Sequence, residues 1–229
     1  MSLFDFSFSR PIGSYSKVQG LVSKWKRNQP SQLRSPRVAG KEYLDLGCGP
    51  NTHPGFINLD YDWQPGVDLC WDLARGLALP DGSMKGVFSE HCLEHFSLPT
   101  VRFLLAEIRR VLRPGGVVRI VVPDAGLYLD LYARRRAGEA TADFPYEDAV
   151  RSAGLTSPLA SVNRVFYVDR DSPAGHRCMF DADLMTELLG LSGFEHVRRE
   201  QFRTGRDPKL LIDAEHRNVE SLYMEASAG

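Results

Sequence analysis

Two stretches of this 229-residue chain have residue types and spacings that could support chemistry. The first is the glycine turn Gly47-Cys48-Gly49, which directly follows the apolar run Tyr43-Leu44-Asp45-Leu46. Because glycine has no Cβ atom, another molecule can approach the backbone of such a turn closely. The second is Glu90-His91-Cys92-Leu93-Glu94-His95, whose carboxylates and imidazoles could move protons or hold a metal ion.

Acidic residues stand at the ends of the apolar runs that follow the glycine turn. Asp60, Asp72 and Asp124 each end such a run, and Glu90-His91 ends another. In an open parallel sheet, ligands bind beyond the C-terminal ends of the strands, near the point where the strand order reverses. The pattern therefore predicts one site to which the glycine turn, these acids and His91 all contribute.

Two other kinds of site fit the same residues poorly. His-x-x-Glu-His is the inverzincin metalloprotease motif, but that motif needs a long helix, and Pro99 stands only four residues after His95. A dinucleotide-binding loop needs a third glycine, where Thr52 stands, and an acid about 20 residues further on. Only ten residues separate Gly49 from Asp60. Neither a zinc protease nor NAD binding is expected.

Helices that alternate with buried strands must position these residues. Hydrophobic periodicity predicts strands over 43–46, 56–60, 67–72, 87–89, 117–122, 195–202 and 221–226, and helices over 97–112, 126–136 and 181–193. This order predicts an α/β fold with a doubly wound, mostly parallel seven-stranded sheet. The short link between the first two strands predicts a first crossover with little or no helix.

Two further regions flank or interrupt this domain, which we expect to span 42–229. Residues 1–41 hold one acid against eight basic residues, and apolar residues at i, i+3, i+4 and i+7 from Val18 predict a helix over 16–27, followed by a linker. The helix either packs on the domain with its charges in water, caps an anionic substrate, or contacts acidic lipid. Weak periodicity and many chain breakers predict a lid or substrate-side insertion at about 138–179.

Composition argues against several classes of protein. The net charge of −1 gives no overall attraction to nucleic acid or membranes. No run approaches the roughly 18 apolar residues of a transmembrane helix, and the first residues lack the order of a signal peptide. The four cysteines are widely spaced and form no Cys-x-x-Cys pair, which favours a reduced, cytoplasmic location. The sequence leaves open whether the protein forms a homodimer.

The motifs together resemble those of the class I S-adenosylmethionine (SAM) methyltransferases. Asp45-Leu46-Gly47-Cys48-Gly49 is similar to their first motif, Asp60 to their ribose-binding acid and Asp72 to their adenine-side acid. Leu112-Arg113-Pro114-Gly115-Gly116 matches the helix end before their fifth strand. More closely, the chain resembles small bacterial predicted methyltransferases of the methyltransferase type 11 kind. The resemblance covers roughly residues 42–124, and Asn51 replaces the family's third glycine.

This resemblance implies SAM as the cofactor, bound at the edge that carries the glycine turn. The implied cofactor-binding residues are Asp45, Gly47, Cys48, Gly49, Asp60, Asp72, Leu73 and Glu90. The glycine turn would carry the amino-acid portion, Asp60 would accept both ribose hydroxyls, and Asp72 with Leu73 would meet the adenine.

The resemblance also suggests catalytic roles. His91, Glu94 and Asp124 are the candidates, with His91 as the base that removes a proton from a substrate hydroxyl. Related O-methyltransferases of ubiquinone synthesis and of small-RNA 2′-O-methylation carry Glu-x-x-Glu-His here and bind a divalent metal. His91, Glu94 and His95 are therefore candidate ligands, with His176 as a distant fourth. Alternatively, Glu94 and His95 only complete a helix start and the pocket wall.

The expected function is SAM-dependent methylation of an oxygen atom in a sugar, a glycan intermediate or another small metabolite. No Asn/Asp-Pro-Pro-Tyr motif follows the fourth strand, which argues against methylation of an amino group on a flipped base. An RNA methyltransferase, favoured only by the basic N-terminal region, and a non-catalytic SAM-binding or partner-binding module are the alternatives.

Overall fold

The computed structural model describes residues 17–167 and 175–229. The strands are β1 (Tyr43–Leu46), β2 (Phe56–Asp60), β3 (Leu69–Cys70), β4 (Met84–Glu90), β5 (Leu112–Pro123), β6 (Phe194–Glu200) and β7 (Ser221–Ala228). The helices are α1 (Lys17–Lys26), α2 (Leu98–Val111), α3 (Ala125–Arg136), α4 (Glu147–Ser152), α5 (Pro158–Phe166) and α6 (Ala182–Leu191). None of these helices is long and apolar enough to cross a membrane.

The strands form one sheet in the order β3-β2-β1-β4-β5-β7-β6, and β7 runs antiparallel to both of its neighbours. The chain moves outward from β1 to β3 and then returns to place β4 on the other side of β1. The strand order therefore reverses between β1 and β4, which is where a doubly wound sheet binds its ligand. The predicted doubly wound, mostly parallel seven-stranded sheet is confirmed.

Strand bounds differ from the predicted ones at β3, β4 and β5, and by one or two residues at β6 and β7. β3 has only two residues, because the chain turns at Asp72 into a short 3-10 helix, Leu73–Arg75. β4 extends further than its apolar core suggests. β5 begins at Leu112 and takes in Pro114-Gly115-Gly116, which was expected to separate helix from strand. An irregular register between Met84 and Gly86 accommodates this start.

The segment expected to be a lid or substrate-side insertion, at about 138–179, contains two helices, α4 and α5, which its weak periodicity did not predict. Residues 168–174 of the expected lid lie outside the described residues. Helix α5 packs on α3, where the Phe166 and Tyr128 rings meet edge to face with centroids 5.4 Å apart. Arg135, from the same face of α3, pairs with Glu147 of α4. That face of α3 is thus used for packing.

The first crossover, between β1 and β2, contains no helix, as expected. Part of the connection between β6 and β7 covers the sheet face that such a helix would cover. Leu210 from this connection is fully buried in a cluster with Phe56 and Phe88. Nearby, the Tyr43 hydroxyl donates a hydrogen bond to Asp207 Oδ2 at 2.8 Å. A mostly polar segment without predicted secondary structure therefore completes the core.

A buried ionic network holds the same connection against the sheet. The Arg119 guanidinium in β5 donates to both oxygens of Asp213, at 2.7 and 2.6 Å, and to Glu225 Oε1 at 2.9 Å. It also donates to the backbone carbonyls of Thr204 and Gln201. All five N–H donors of the guanidinium are thus used. The three charged side chains are at most 1% exposed.

Helix α1 forms as predicted but presents the opposite face to the domain. Val18, Leu21 and Trp25 are 66–72% exposed. The buried contacts instead come from Ser23, whose hydroxyl accepts the Trp63 N–H at 2.8 Å, and from Arg27, which stacks over the Tyr61 ring at 3.4 Å. These three apolar residues lie in water because cation–aromatic contacts, which periodicity does not reveal, fix the orientation of α1. Residues 1–16 lie outside the described residues.

Candidate functional site

The predicted site residues stand along one edge of the sheet in the order of the strands. The C-terminal ends of β3, β2, β1, β4 and β5 are neighbours in that order. They carry Asp72, Asp60, the glycine turn, Glu90-His91 and Asp124 respectively. The sheet therefore brings these residues to one edge, across the reversal between β1 and β4.

The two glycines of the turn have different surroundings. Both have positive φ, +74° at Gly47 and +51° at Gly49. A Cβ atom on Gly47 would lie 2.4 Å from Cys92 Sγ, whereas a Cβ atom on Gly49 would meet nothing within 4 Å. Gly47 is therefore required for close packing against the segment after β4. At Gly49 the turn is open, and another molecule can approach its backbone from that side.

Asp60 connects the glycine turn to β2. Its Oδ2 accepts the Gly49 N–H at 2.8 Å, and its Oδ1 accepts the Asp62 N–H at 2.9 Å. Burial raises the pKa of Asp60, although these backbone hydrogen bonds oppose the shift. The carboxylate is thus held rigidly beside the turn, and each oxygen keeps a second lone pair for a further donor.

Asp45, Asp60 and Glu90 surround the turn with three acidic groups. Burial, reinforced by the charges of Glu90 and Asp60, raises the pKa of Asp45 well above its usual range. Burial also raises the pKa of Glu90, against the N–H of Ala214, which donates to Glu90 Oε1 at 2.9 Å. Carboxylates that destabilise one another's charged forms make a site that favours a cationic ligand.

At the far side of the turn, Asp72 caps the 3-10 helix and the end of α1 contacts it. The Asp72 Oδ1 accepts the Ala74 N–H at 3.0 Å, while the Asp72 N–H donates to Asn28 Oδ1 at 2.9 Å. Leu73 is buried, with 5% of its surface exposed. The basic N-terminal region therefore packs directly against the residues expected to meet the adenine.

His91 leaves β4 in the left-handed backbone region, with φ of +47°. Such a conformation is unusual for a non-glycine residue and clusters at functional sites. Its Nε2 lies 2.9 Å from Ser221 Oγ, and its Nδ1 lies 3.4 Å from Glu94 Oε1. Burial, together with nearby cations led by Arg217, lowers the pKa of His91 well below its usual range. The lowered pKa favours the neutral form of the ring.

Glu94, His95 and His176 form a second group beside His91. One potential ligand atom from each lies within 4.8 Å of the others. The His95 and His176 rings meet edge to face with centroids 5.0 Å apart. The predicted ligand set thus differs from this group in one member, because His176 takes the place of His91. His91 borders the group through its contact with Glu94.

Asp124 lies in the wall of an open pocket of about 490 Å³. Its Oδ1 accepts the Leu127 N–H at the start of α3, and its Oδ2 accepts a hydrogen bond from Arg199 at 2.8 Å. Ser221, which contacts His91, and the N-terminal residues of α6 also line the pocket. Both Asp124 oxygens are engaged, so capping and ion pairing account for its burial.

Sequence reasoning missed several residues that shape this site. Gln64 donates a hydrogen bond to the Gly49 carbonyl. A Cβ atom on Gly66 would lie 2.5 Å from Thr52 Oγ1, so a glycine is needed where the loop after β2 packs against Thr52. Ser221 and Ala214 also contact the site, although they lie more than 120 positions after His91 and Glu90 in the sequence. Only the glycine of the Gln64-Pro65-Gly66 turn gave a signal in the sequence.

The strand order, with antiparallel β7 between β5 and β6, is that of the class I, Rossmann-like methyltransferase fold. Residues 57–120 match the family model described as "Methyltransferase domain". This part of the chain is therefore similar to the methyltransferase domains of that family.

Two curated proteins match part of the chain. A "Probable S-adenosylmethionine-dependent methyltransferase" of Mycolicibacterium smegmatis is 30% identical over 135 residues, covering 50% of this chain and 52% of that protein. An "Uncharacterized 37.1 kDa protein" from a Streptomyces fradiae transposon is 32% identical over 108 residues, covering 37% and 31%. The matches thus span about half or less of these relatives. A solved SAM-dependent methyltransferase from Archaeoglobus fulgidus is 16% identical, covers 91% and 94%, and gives a TM-score of 0.47.

Proposed function

We propose that this protein is a SAM-dependent methyltransferase that methylates an oxygen atom of a sugar, a glycan intermediate or another small metabolite. The observation that carries the proposal is the edge of the sheet. Its three acids, Asp45, Asp60 and Glu90, surround a glycine turn at the reversal of strand order. The methyltransferase family match to residues 57–120 includes β2 and most of β5.

The residues at this edge fit SAM. SAM carries a positively charged sulfonium and an ammonium group, and the three acids favour cations. The open side of Gly49 leaves space for the amino-acid portion, since no atom lies within 4 Å of its missing Cβ. The second lone pairs of the Asp60 oxygens suit a ribose diol. Asp72 and Leu73 stand next along the edge for the adenine, and Cys48 contributes backbone to the turn.

Bound SAM would supply an activated methyl group, and the chain's own residues would position the acceptor. The pocket lined by Asp124, Arg199 and Ser221 is polar and of a size for a small hydroxylated molecule. His91 contacts Ser221, which lines this pocket, on one side and Glu94 on the other. The neutral imidazole would take the proton of the acceptor hydroxyl, with the charge of Glu94 at 3.4 Å stabilising the imidazolium and Asp124 holding the pocket wall.

The cofactor part of the proposal is tested by calorimetry with SAM. We expect the full chain to bind SAM, and Asp60→Asn to weaken binding by roughly 10- to 100-fold, because a charge-assisted hydrogen bond is worth about 1.5–3 kcal/mol. Asp148→Asn is the matched control, since that carboxylate is 98% exposed on α4. Equal affinities for SAM in both variants, or no binding by the unmodified chain, would remove the cofactor assignment.

Turnover separates an enzyme from a non-catalytic SAM-binding module. Radiolabelled SAM and a panel of polyols and sugars should give labelled product with the unmodified chain, and His91→Gln should lower the rate while SAM binding is kept. Transfer of label to RNA instead would favour the alternative acceptor. SAM binding with no transfer to any acceptor class would favour the non-catalytic module.

A further inference from the structure

Glu94 is the most unusual buried acid in the described part of the chain. It is 1% exposed, and neither of its carboxylate oxygens has a hydrogen-bond partner. The nearest basic atoms are His91 Nδ1 at 3.4 Å, without hydrogen-bond geometry, and His176 Nε2 at 4.0 Å from Oε1. A buried carboxylate without donors is costly unless it is neutralised by a proton or a cation.

The two histidines that face Glu94 are also incompletely bonded. Nδ1 of His95 and Nδ1 of His176 are buried and have no hydrogen-bond partner. Burial, with a smaller effect of the neighbouring His95, lowers the pKa of His176 to about 4. Neutral imidazole nitrogens and a carboxylate oxygen are the donors that zinc and other first-row divalent ions prefer.

The backbone fixes His176 next to Glu94, although 82 positions separate them. The N–H groups of Arg177 and Cys178 donate to the Glu94 carbonyl at 2.7 and 3.2 Å. The segment that follows β4 and the segment that precedes α6 are thus joined at the group itself. These hydrogen bonds hold Glu94 and His176, one potential ligand from each segment, in fixed positions for binding an ion.

We propose that Glu94, His95 and His176 bind one divalent first-row transition-metal ion. Two imidazoles and one carboxylate leave at least one coordination position for a further ligand, as in catalytic rather than structural zinc sites. His91 borders this site, because its ring contacts both Glu94 and Ser221. Ser221 lines the open pocket, so His91 connects the metal-binding group to that pocket.

Metal binding can be measured without SAM or an acceptor, so its outcome is independent of the proposed methyl transfer. The full chain, stripped with a chelator and dialysed, is titrated with Co²⁺ by visible absorbance and with Zn²⁺ by calorimetry. We expect one ion per chain. Glu94→Gln and His176→Ala should each lower the affinity at least about 100-fold, since even indirect partners of a metal contribute 10- to 100-fold.

His216→Ala is the matched control, because His216 is exposed and outside the group. It should bind Co²⁺ and Zn²⁺ like the unmodified chain. Circular dichroism checks that each variant folds, and the near-isosteric Glu94→Gln keeps the test valid if His176→Ala does not. Absence of binding by the unmodified chain, unchanged affinity in Glu94→Gln, or a cysteine-to-cobalt charge-transfer band would each overturn the proposal.

Discussion

Replacing Arg119 by methionine should lower the free energy of unfolding by about 3–5 kcal/mol. Methionine fills much of the same volume but leaves Asp213 and Glu225 as unpaired acids that are at most 1% exposed. It also removes the donors to the carbonyls of Thr204 and Gln201. Urea unfolding of the full chain, followed by circular dichroism, measures the change.

Arg113→Met is the matched control for this prediction. Arg113 pairs with Glu42 at 2.7 Å, but both side chains are more than a third exposed, so its loss should cost less than about 1 kcal/mol. Neutralising both acids as well, in Arg119→Met/Asp213→Asn/Glu225→Gln, should restore part of the lost stability. Similar small losses for Arg119→Met and Arg113→Met would show that the buried network contributes little.

Alanine substitutions at the two glycines of the turn should have different consequences. Gly47→Ala should lower the free energy of unfolding by about 2–4 kcal/mol, because positive φ strains alanine and its Cβ would lie 2.4 Å from Cys92 Sγ. Gly49→Ala should cost about 1–2 kcal/mol, from backbone strain alone. Its methyl group, however, occupies the open side of the turn and should weaken SAM binding at least 10-fold.

Unfolding curves and SAM calorimetry on the same samples separate the two effects. Adding Cys92→Ala to Gly47→Ala removes the Sγ contact and should recover part of the stability, whereas adding it to Gly49→Ala should recover none. Equal destabilisation by both alanines would show that Cys92 does not set the requirement at Gly47. Unchanged SAM affinity in Gly49→Ala would mean that the cofactor approaches elsewhere.

The sequence predicted the sheet because each strand of the parallel core is a short apolar run followed by a polar or glycine residue. The same pattern predicted which residues reach the edge, from Asp72 to Asp124, since strand ends meet at one edge. The resemblance to a family added the role of each acid. These signals are local in the sequence, so they can be recognised without knowledge of the three-dimensional contacts.

Long-range partners could not be predicted in this way. Arg119 reads as one polar residue in a strand, and its acids lie 94 and 106 positions later. The orientation of α1 depends on Tyr61 and Trp63, whose rings attract cations from the helix. The closeness of His176 to Glu94 depends on backbone hydrogen bonds between distant segments. In each case tertiary contacts overrode or supplemented the local pattern.

The helix-free first crossover also has a consequence for the order in which the protein folds. Tyr43 contacts Asp207, 164 positions later, and Leu210 closes the cluster around Phe56. During synthesis, β1 and β2 therefore expose an apolar face until the segment around Leu210 has emerged. Such long sequence separations slow folding and leave intermediates with exposed apolar surface. The step that buries Leu210 should accordingly be late and slow, and a nascent chain that stalls before it would be a substrate for chaperones.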